Sequence, residues 1–169
     1  MNSQNRAFSA WDLYKNTGSI DALEEAIIAT RTAVQNTSNE GVKHVALLNN
    51  LGSMLRERYE QLGDIANLQE AIDLLRQSLH SVRLGDPLQA AIMSNLGAML
   101  SDVGRHQEAL ETATQAVEIR RHLAAENPSA HQADLATSLN NLGTMLSDVG
   151  RHQEALETAT QAVEIRRHL

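Results

Sequence analysis

Side chains that could serve a hydrolase occur twice in this sequence. Each set joins a serine, an aspartate and a histidine: Ser101, Asp102 and His106, and again Ser147, Asp148 and His152. These are the nucleophile and acid–base types of acyl-transfer enzymes, but catalysis needs one set that converges with an oxyanion hole and a pocket. A set copied from one turn between helices to another is more typical of a structural need such as helix capping. We therefore expect no enzyme and no catalytic residue.

Metal ions, cofactors and nucleic acids are not expected as partners either. The seven histidines form no HExxH motif and no pair at ligand spacing with a carboxylate on the same helix face, and the chain has no cysteine. With 14 lysines and arginines against 21 aspartates and glutamates, the net charge of −7 gives no attraction for a polyanion.

The sequence pattern contains no membrane-spanning or secretory segment. No apolar run approaches the ~20 residues that a membrane span needs, and the N-terminal residues lack the apolar stretch of a signal peptide. The absence of cysteine is compatible with a reducing compartment. We expect a soluble protein of the cytoplasm without a membrane partner.

Asparagine is the polar side chain that recurs at a regular spacing. Asn50, Asn95 and Asn141 each precede a leucine and a glycine, at spacings of 45 and 46. An asparagine offers a donor and an acceptor, so a ladder of them could hold the main chain of an extended peptide. The same side chains could instead tie neighbouring helices together by satisfying buried polar groups. The sequence leaves both interpretations open.

The elements that carry these residues occur in copies. Residues 100–123 recur letter for letter at 146–169, and from Asn95 and Asn141 onwards 28 of 29 positions are identical. A unit of this size cannot bury its apolar face alone and must stack on neighbours like itself. Apolar residues recur at helical spacing, and no strand-like alternation competes with it. The chain is therefore predicted to be all-α, a right-handed superhelical solenoid of antiparallel helix pairs.

Four second helices indicate four repeats in a single array over residues 1–169. The apolar face of each of these helices begins at a glutamate followed by an alanine: Glu25-Ala26, Glu70-Ala71, Glu108-Ala109 and Glu154-Ala155. The predicted repeats are 1–36 with a shortened first helix, 43–84, 87–125 and 128–169. Gly52 lies 19 residues before Ala71, against 12 residues in the last two repeats, so the helices or the turn of the second repeat must be longer.

Glycine and proline mark where helices pack, end and begin. A glycine inside a helix costs ~1 kcal/mol relative to alanine, so the recurring glycines Gly52, Gly97 and Gly143 predict close helix packing. Four other glycines are predicted to end the first helices: Gly18, Gly63, Gly104 and Gly150. Capped helix starts are expected at Asp86-Pro87 and Asn127-Pro128.

The order Leu142-Gly143, Leu146, Gly150, Ala155, Ala159, Ala162 resembles the tetratricopeptide repeat signature, in which small residues of paired helices meet. The period of 45 to 46 exceeds the 34 residues of the basic motif and is similar to the long-helix variety of kinesin light chains. The first half, where Tyr14 and Gly18 are echoed by Tyr59 and Gly63, resembles fungal arrays attached to nucleotide-binding immune-type receptors or caspase-like proteases. Any such activity would belong to another chain segment.

The resemblance implies a binding surface on the first helices, which line the concave groove of tetratricopeptide arrays. The residues expected there are small, polar and partly acidic: Asn49, Asn50, Ser53, Arg56, Asn95, Ala98, Asp102, Asn140, Asn141, Thr144 and Asp148. The set lacks the lysines and arginines that clamp a terminal carboxylate in chaperone adaptors. The expected function is a non-enzymatic protein-interaction module that binds a peptide or a partner domain, as the sensor or scaffold part of a larger protein.

A structural scaffold that self-associates is the alternative function. The last predicted helix carries Leu156, Val163 and Leu169 without a polar helix to cover them. A homo-oligomer would form through this exposed C-terminal helix. The near-identical copies fit either a recent duplication or an engineered repetition.

Overall fold

The computed structural model describes residues 2–38 and 41–169, and the regular structure of these residues is helical throughout. The helices, in chain order, are α1 (Ser3–Thr17), α2 (Ile20–Gln35), α3 (Val42–Leu62), α4 (Ile65–Leu79), α5 (Pro87–Asp102), α6 (His106–Glu126), α7 (Pro128–Asp148) and α8 (His152–Arg167). Turns of two or three residues join α1 to α2, α3 to α4, α5 to α6 and α7 to α8, so each pair packs antiparallel. The predicted all-α fold of helix pairs is confirmed.

The chain divides into two compact units, residues 1–82 and 83–169. In the first unit α2 packs on α1 and on α3, and α3 packs on α4. In the second unit α6 packs between α5 and α7, and α7 packs on α8. Aliphatic side chains fill both cores, among them Leu23, Ile27, Leu55 and Ile72 in the first and Ile92, Leu100 and Leu139 in the second. None of the helices in the described ranges has the combination of length and apolar character that a membrane span requires.

Glycines end the first helix of each pair, as predicted. Gly18 and Gly63 cap α1 and α3 with φ of 69° and 72°. Gly104 and Gly150 adopt the same left-handed conformation one residue beyond the C-caps of α5 and α7. A positive φ favours glycine because a side chain would meet the backbone there.

The two predicted proline-containing helix starts differ in their caps. The Asp86 carboxylate accepts a hydrogen bond from the amide of Leu88 at 2.8 Å, so the prediction for α5 is confirmed. The helix start predicted at Asn127-Pro128 is also confirmed, because α7 begins at Pro128 with Asn127 as its N-cap, but the Asn127 side chain makes no cap hydrogen bond to α7. Its φ of −141° and ψ of 85° place the side chain where Oδ1 instead accepts from the Ser129 hydroxyl, at 3.0 Å.

The prediction that the serine and aspartate at each turn cap the following helix, α6 or α8, is wrong. The N-caps of α6 and α8 are Arg105 and Arg151, and neither makes a side-chain cap hydrogen bond. An arginine carries only donors, so it cannot accept from the helix amides. Each of the two instead pairs with a glutamate three residues ahead, and main-chain hydrogen bonds close the turn.

Close packing explains the interior glycines. A Cβ on Gly97 would lie 3.3 Å from the carbonyl oxygen of Ala109, and one on Gly143 would lie 3.3 Å from that of Ala155. A Cβ on Gly52 would lie 3.1 Å from Cδ2 of Leu75. The prediction from helix propensity is confirmed, because a Cβ would press on the backbone of the second helix at Gly97 and Gly143 and on the Leu75 side chain at Gly52.

The extra residues of the second repeat lengthen its helices and not its turn. α3 continues ten residues beyond Gly52, whereas α5 continues only five beyond Gly97. α4 also begins six residues before Ala71, whereas α6 begins three before Ala109.

Candidate functional site

A cleft of about 410 Å³ lies between α1 and α3 in the first unit. α2 contributes to its floor. The lining combines apolar and polar side chains: Ala7, Phe8, Trp11, Lys15, Thr30, Leu47, Asn50, Ser53 and Met54. Such a composition, apolar walls with a few polar groups, is typical of sites that accept one side chain or a small apolar group.

The α1 wall consists of residues at helical spacing. Phe8, Trp11 and Lys15 are three and four residues apart, so they share one face of the helix. Phe8 is 74% exposed, although the benzyl side chain is among the most strongly apolar in proteins. The Trp11 ring stacks on the ring of buried Tyr14, with centroids 5.4 Å apart and planes at 25°. This stacking holds the indole in a fixed orientation at the cleft.

The α3 wall combines buried apolar residues with a polar edge. Leu47 and Met54 are 7% and 4% exposed, and the Thr30 hydroxyl, which contacts the Met54 sulfur at 3.4 Å, closes the floor from α2. Ser53 donates to the main-chain carbonyl of Asn49 at 3.2 Å. Asn50 is exposed, and its side chain forms no hydrogen bond with any of the described residues. The side-chain amide of Asn50 is therefore available to a bound ligand.

Charged groups near the cleft are mostly paired with one another. The Tyr14 hydroxyl donates to Oε2 of Glu57 at 2.9 Å, and Arg56 forms an ion pair with Glu60 at 3.1 Å along α3. Burial raises the pKa of Tyr14 above its usual value, and the hydrogen bond and charge of Glu57 raise it further. Lys15 is the cation that lines the cleft itself.

The structure brings part of the predicted residue set to this cleft. Asn50 and Ser53 line it. Arg56 lies on the same helix but is paired with Glu60 and is not among the lining residues. Asn49 is half-buried and interacts with another group of the chain.

The remaining predicted residues lie on α5 and α7 of the second unit. Asn95 and Ala98 are half-buried and Asp102 is exposed on α5, whereas α7 carries half-buried Asn141 and exposed Asn140, Thr144 and Asp148. Asn95 and Asp102 already interact with other groups of the chain. The two helices meet through the hydroxyls of Ser94 and Ser138, which are 3.1 Å apart. Thr144 donates to the main-chain carbonyl of Asn140 at 3.3 Å.

The sequence pattern did not identify the α1 wall of the cleft. A signal was present, because all four aromatic residues lie within the first 59 positions and Phe8 and Trp11 are three residues apart. The asparagines recur in three repeats and could be predicted from that, whereas the aromatic pair occurs once and has no copy.

Comparisons with known proteins agree with the helix-pair architecture. Two family models, each described as tetratricopeptide repeat, match residues 44–122 and 135–169. No curated protein matches the chain significantly. The crystal structure of BtubC (BKLC) from P. vanneervenii superposes with a TM-score of 0.75 and 24% sequence identity, over 98% of this chain and 63% of BtubC. The chain thus spans less than two thirds of that protein's length, and the likeness at this identity shows the fold.

Three observations support the same family. Small residues lie at the contact between paired helices, glycines end the first helices, and both family models match. Tetratricopeptide repeats are general modules of protein–protein interaction. Residues 44–122 and 135–169 of this chain belong to the tetratricopeptide repeat family.

Proposed function

We propose that the chain is a cytoplasmic, non-enzymatic protein-interaction module that binds a peptide, or a segment of a partner domain, through its first helices. The cleft between α1 and α3 anchors an apolar side chain of that ligand. The observation that carries the proposal is the exposed Phe8 ring, which lines the cleft together with Trp11 and with the buried Leu47 and Met54 of α3. As the resemblance to fungal arrays implies, the module serves as the sensor or scaffold part of a larger protein.

The energetics favour an occupant for this cleft. Covering an exposed phenylalanine ring contributes about 2 kcal/mol, which corresponds to roughly 30-fold in affinity. Large apolar side chains grouped around a concavity mark interaction sites more often than singly scattered ones do. The aromatic pair on α1 therefore supports an apolar anchor residue in the ligand.

Asparagines of the first helices supply hydrogen bonds to the ligand main chain, and of these Asn50 lines the cleft that holds the anchor. The side chains of Asn50 in the first unit and Asn141 in the second form no hydrogen bond with the described residues, which supports a ligand-binding role for them. Asn49 and Asn95 already interact within the chain, which favours a structural role for those two. Of the asparagines predicted to form a ladder, Asn50 and Asn141 thus fit a ligand-binding role, and Asn49 and Asn95 fit a structural role.

Selection from a random peptide library displayed on phage tests the proposal. Trp11 is the only tryptophan, so a change in its emission reports occupation of the cleft by a selected peptide. Phe8→Ser should weaken binding of the selected peptides at least ~tenfold, because the ring no longer covers the anchor residue. Asn50→Ala should weaken binding about fivefold through one lost hydrogen bond.

Leu13→Ser provides the matched control. Leu13 is also an exposed apolar residue of α1, 51% exposed, but it does not line the cleft. Peptides that bind Phe8→Ser as tightly as they bind the unsubstituted chain would contradict the proposed anchor.

Self-association through α8 is the second candidate function. Leu156, Val163 and Leu169 are 62%, 47% and 65% exposed, so an apolar surface for it is present. Light scattering over a concentration series distinguishes the two functions. A mass that stays monomeric at high concentration would dismiss self-association.

A further inference from the structure

Arg120 is a buried cation of the second unit that forms no ion pair with the described residues. It lies on α6 and is 9% exposed. Nη1 donates to Oγ of Ser138 at 2.6 Å and to the main-chain carbonyl of Asp134 at 2.9 Å, and both acceptors are uncharged. Burial lowers the pKa of Arg120, and the charge of Asp134 opposes this shift. A buried charge is costly unless a counter-charge compensates it, so the compensation of Arg120 is incomplete.

One edge of the Arg120 guanidinium is free. Nε and Nη2 donate to none of the groups that the structure describes, and neither nitrogen is fully enclosed. Both nitrogens therefore reach solvent. Their N–H groups lie side by side on one edge of the planar group, and such a fork binds two oxygens of a carboxylate or a phosphate. Arg120 thus offers an edge that can bind an anion through two hydrogen bonds.

Two serines continue the hydrogen bonds of Arg120 across the first helices. An arginine has donors only, so Oγ of Ser138 accepts from Nη1 and can donate its own proton to Oγ of Ser94, which is 3.1 Å away. Ser94 lies on α5 and is half-buried. Its hydroxyl proton then has no acceptor within the described part of the chain. The hydrogen bonds that begin at Arg120 therefore end in a free donor.

These polar residues depart from the pattern of the repeats. Ser138 occupies the position that Leu47 has in α3 and Ile92 has in α5. Leu47 lines the cleft of the first unit, and Ile92 is fully buried. The first two repeats also have no arginine at the position of Arg120. Stacking of the helix pairs therefore does not require this polar group, which supports a role in binding.

We propose that Arg120 and Ser94 form an oxyanion-binding site on the second unit, the Arg120 site. A carboxylate or phosphate group accepts hydrogen bonds from Nε and Nη2 of Arg120 and from the Ser94 hydroxyl. It supplies the close counter-charge that the described residues do not provide. The cleft between α1 and α3 holds an apolar group instead. A free anion can occupy the Arg120 site, so the site does not depend on the proposed peptide binding.

The side-chain N–H signals of arginine in nitrogen-15 NMR spectra test the proposal on the unaltered chain. Inorganic phosphate and acetate are the probes, and sodium chloride keeps the ionic strength constant. The Nε–H signal of Arg120 should shift and saturate with at least one probe. Arg166 is the internal control, because it is the copy of Arg120 but is exposed and bonds none of the described side chains. No shift at Arg120, or equal shifts at both arginines, would overturn the proposal.

Two further probes distinguish the source of the oxyanion. The acetylated amides of phosphoserine and glutamate present the same groups on a peptide unit. Tighter binding of either amide than of the free ions would support a group carried by a protein ligand. Tighter binding of the free ions would support a free anion as the occupant. Both results require the shift at Arg120.

Ser94→Ala and Ser101→Ala are a matched pair of variants. Both serines are half-buried on α5, and their spacing of seven residues places them on one side of the helix. Ser94→Ala should weaken binding of the anion about fivefold through one lost hydrogen bond, whereas Ser101→Ala should leave it unchanged. Equal affinities of the two variants would contradict the part assigned to Ser94.

Asp134→Asn should change the affinity in the opposite direction. Asp134 is exposed, and its carboxylate acts on Arg120 through charge without forming an ion pair with it. A bound anion is repelled by this carboxylate, so its removal should tighten binding about threefold. Arg120→Lys keeps the charge but not the fork and should weaken binding about tenfold, with circular dichroism to verify the fold. If Arg120→Lys unfolds, the serine pair and Asp134→Asn still decide: weaker binding in Asp134→Asn would overturn the proposal.

Discussion

The hydroxyl of Tyr14 donates a hydrogen bond to Oε2 of Glu57 across the two walls of the candidate cleft, at 2.9 Å. Tyr14 lies on α1 and Glu57 on α3, and α1 otherwise packs on α2. The same tyrosine ring stacks on Trp11, a lining residue. One side chain therefore contributes both to the stability of the first unit and to the shape of its cleft.

Tyr14→Phe should lower the free energy of unfolding by about 1 to 2 kcal/mol, because it leaves the Glu57 carboxylate without its buried donor. Chemical denaturation measures the change. Tyr59→Phe is the control: Tyr59 occupies the corresponding place in the second repeat, and its hydroxyl forms no hydrogen bond with the described residues. Equal effects of the two substitutions would contradict a role for the Tyr14 hydroxyl.

The stability of the chain should fall at high pH through Tyr14. Burial, and secondarily Glu57, raise the pKa of Tyr14, so the folded chain holds this proton more tightly than the unfolded chain. The resulting stabilisation is complete below about pH 10, the usual tyrosine pKa, and is lost as the pH rises through the raised pKa. The difference in melting temperature between the unsubstituted chain and Tyr14→Phe should therefore narrow above about pH 10. A constant difference from neutral to strongly alkaline pH would refute this linkage.

Gly97→Ala should destabilise the chain by about 1 kcal/mol or more, despite the higher helix propensity of alanine. The new Cβ would press on the Ala109 carbonyl of α6, which α7 holds in place from the other side. Gly143→Ala makes the same 3.3 Å contact with Ala155, but among the described helices only α7 packs on α8, so α8 can move away. Thermal denaturation should show the smaller loss, or a gain, for Gly143→Ala; the reverse order would be inconsistent with this account.

His44→Leu should raise the free energy of unfolding by about 1 to 2 kcal/mol. His44 is 4% exposed, and neither ring nitrogen has a hydrogen-bond partner in the described part of the chain. The aligned residue of the last repeat is Leu135, which is also buried. Gln89→Leu, at the aligned position of the third repeat, is the control. It should lower the free energy of unfolding, because it removes the hydrogen bond that Gln89 accepts from the Gly85 amide at 2.7 Å. Denaturation curves that show a loss of stability in His44→Leu would mean that the imidazole is satisfied after all.

Leu110→Ala and Leu156→Ala remove the same side chain from identical sequences. The first should cost about 2 to 4 kcal/mol because Leu110 is buried between α6 and α7, whereas the second should cost less than about 0.5 kcal/mol. Urea denaturation of both variants measures the difference. Similar costs would show that Leu156 is covered in solution.

The helices and their ends could be predicted because local physics determines them. Gly63 and Gly150 end helices since glycine adopts positive φ without strain, and Pro87 fits the first turn of a helix. Asn127 shows the limit of this reasoning. It has the residue type of a cap, but the single-residue link between α6 and α7 imposes backbone angles that turn its side chain away.

The candidate site was predicted only in part. Asn50 was proposed because it recurs and Ser53 because it shares the same helix face, whereas Phe8, Trp11 and Lys15 were not proposed, because the cleft exists only where α1 approaches α3. That approach depends on contacts between residues far apart in sequence, such as Tyr14 and Glu57. Spacing within one helix cannot reveal them.

The repeated 24-residue block separates what sequence and tertiary structure each decided. Both copies form a helix after a left-handed glycine and place their leucine, valine and arginine on one side, since these properties depend only on nearby residues. Whether that side is buried was decided by a neighbour: α7 covers Leu110, and none of the described residues covers Leu156 to the same degree. Burial depends on which surfaces meet in space, and two identical sequences therefore differ in it.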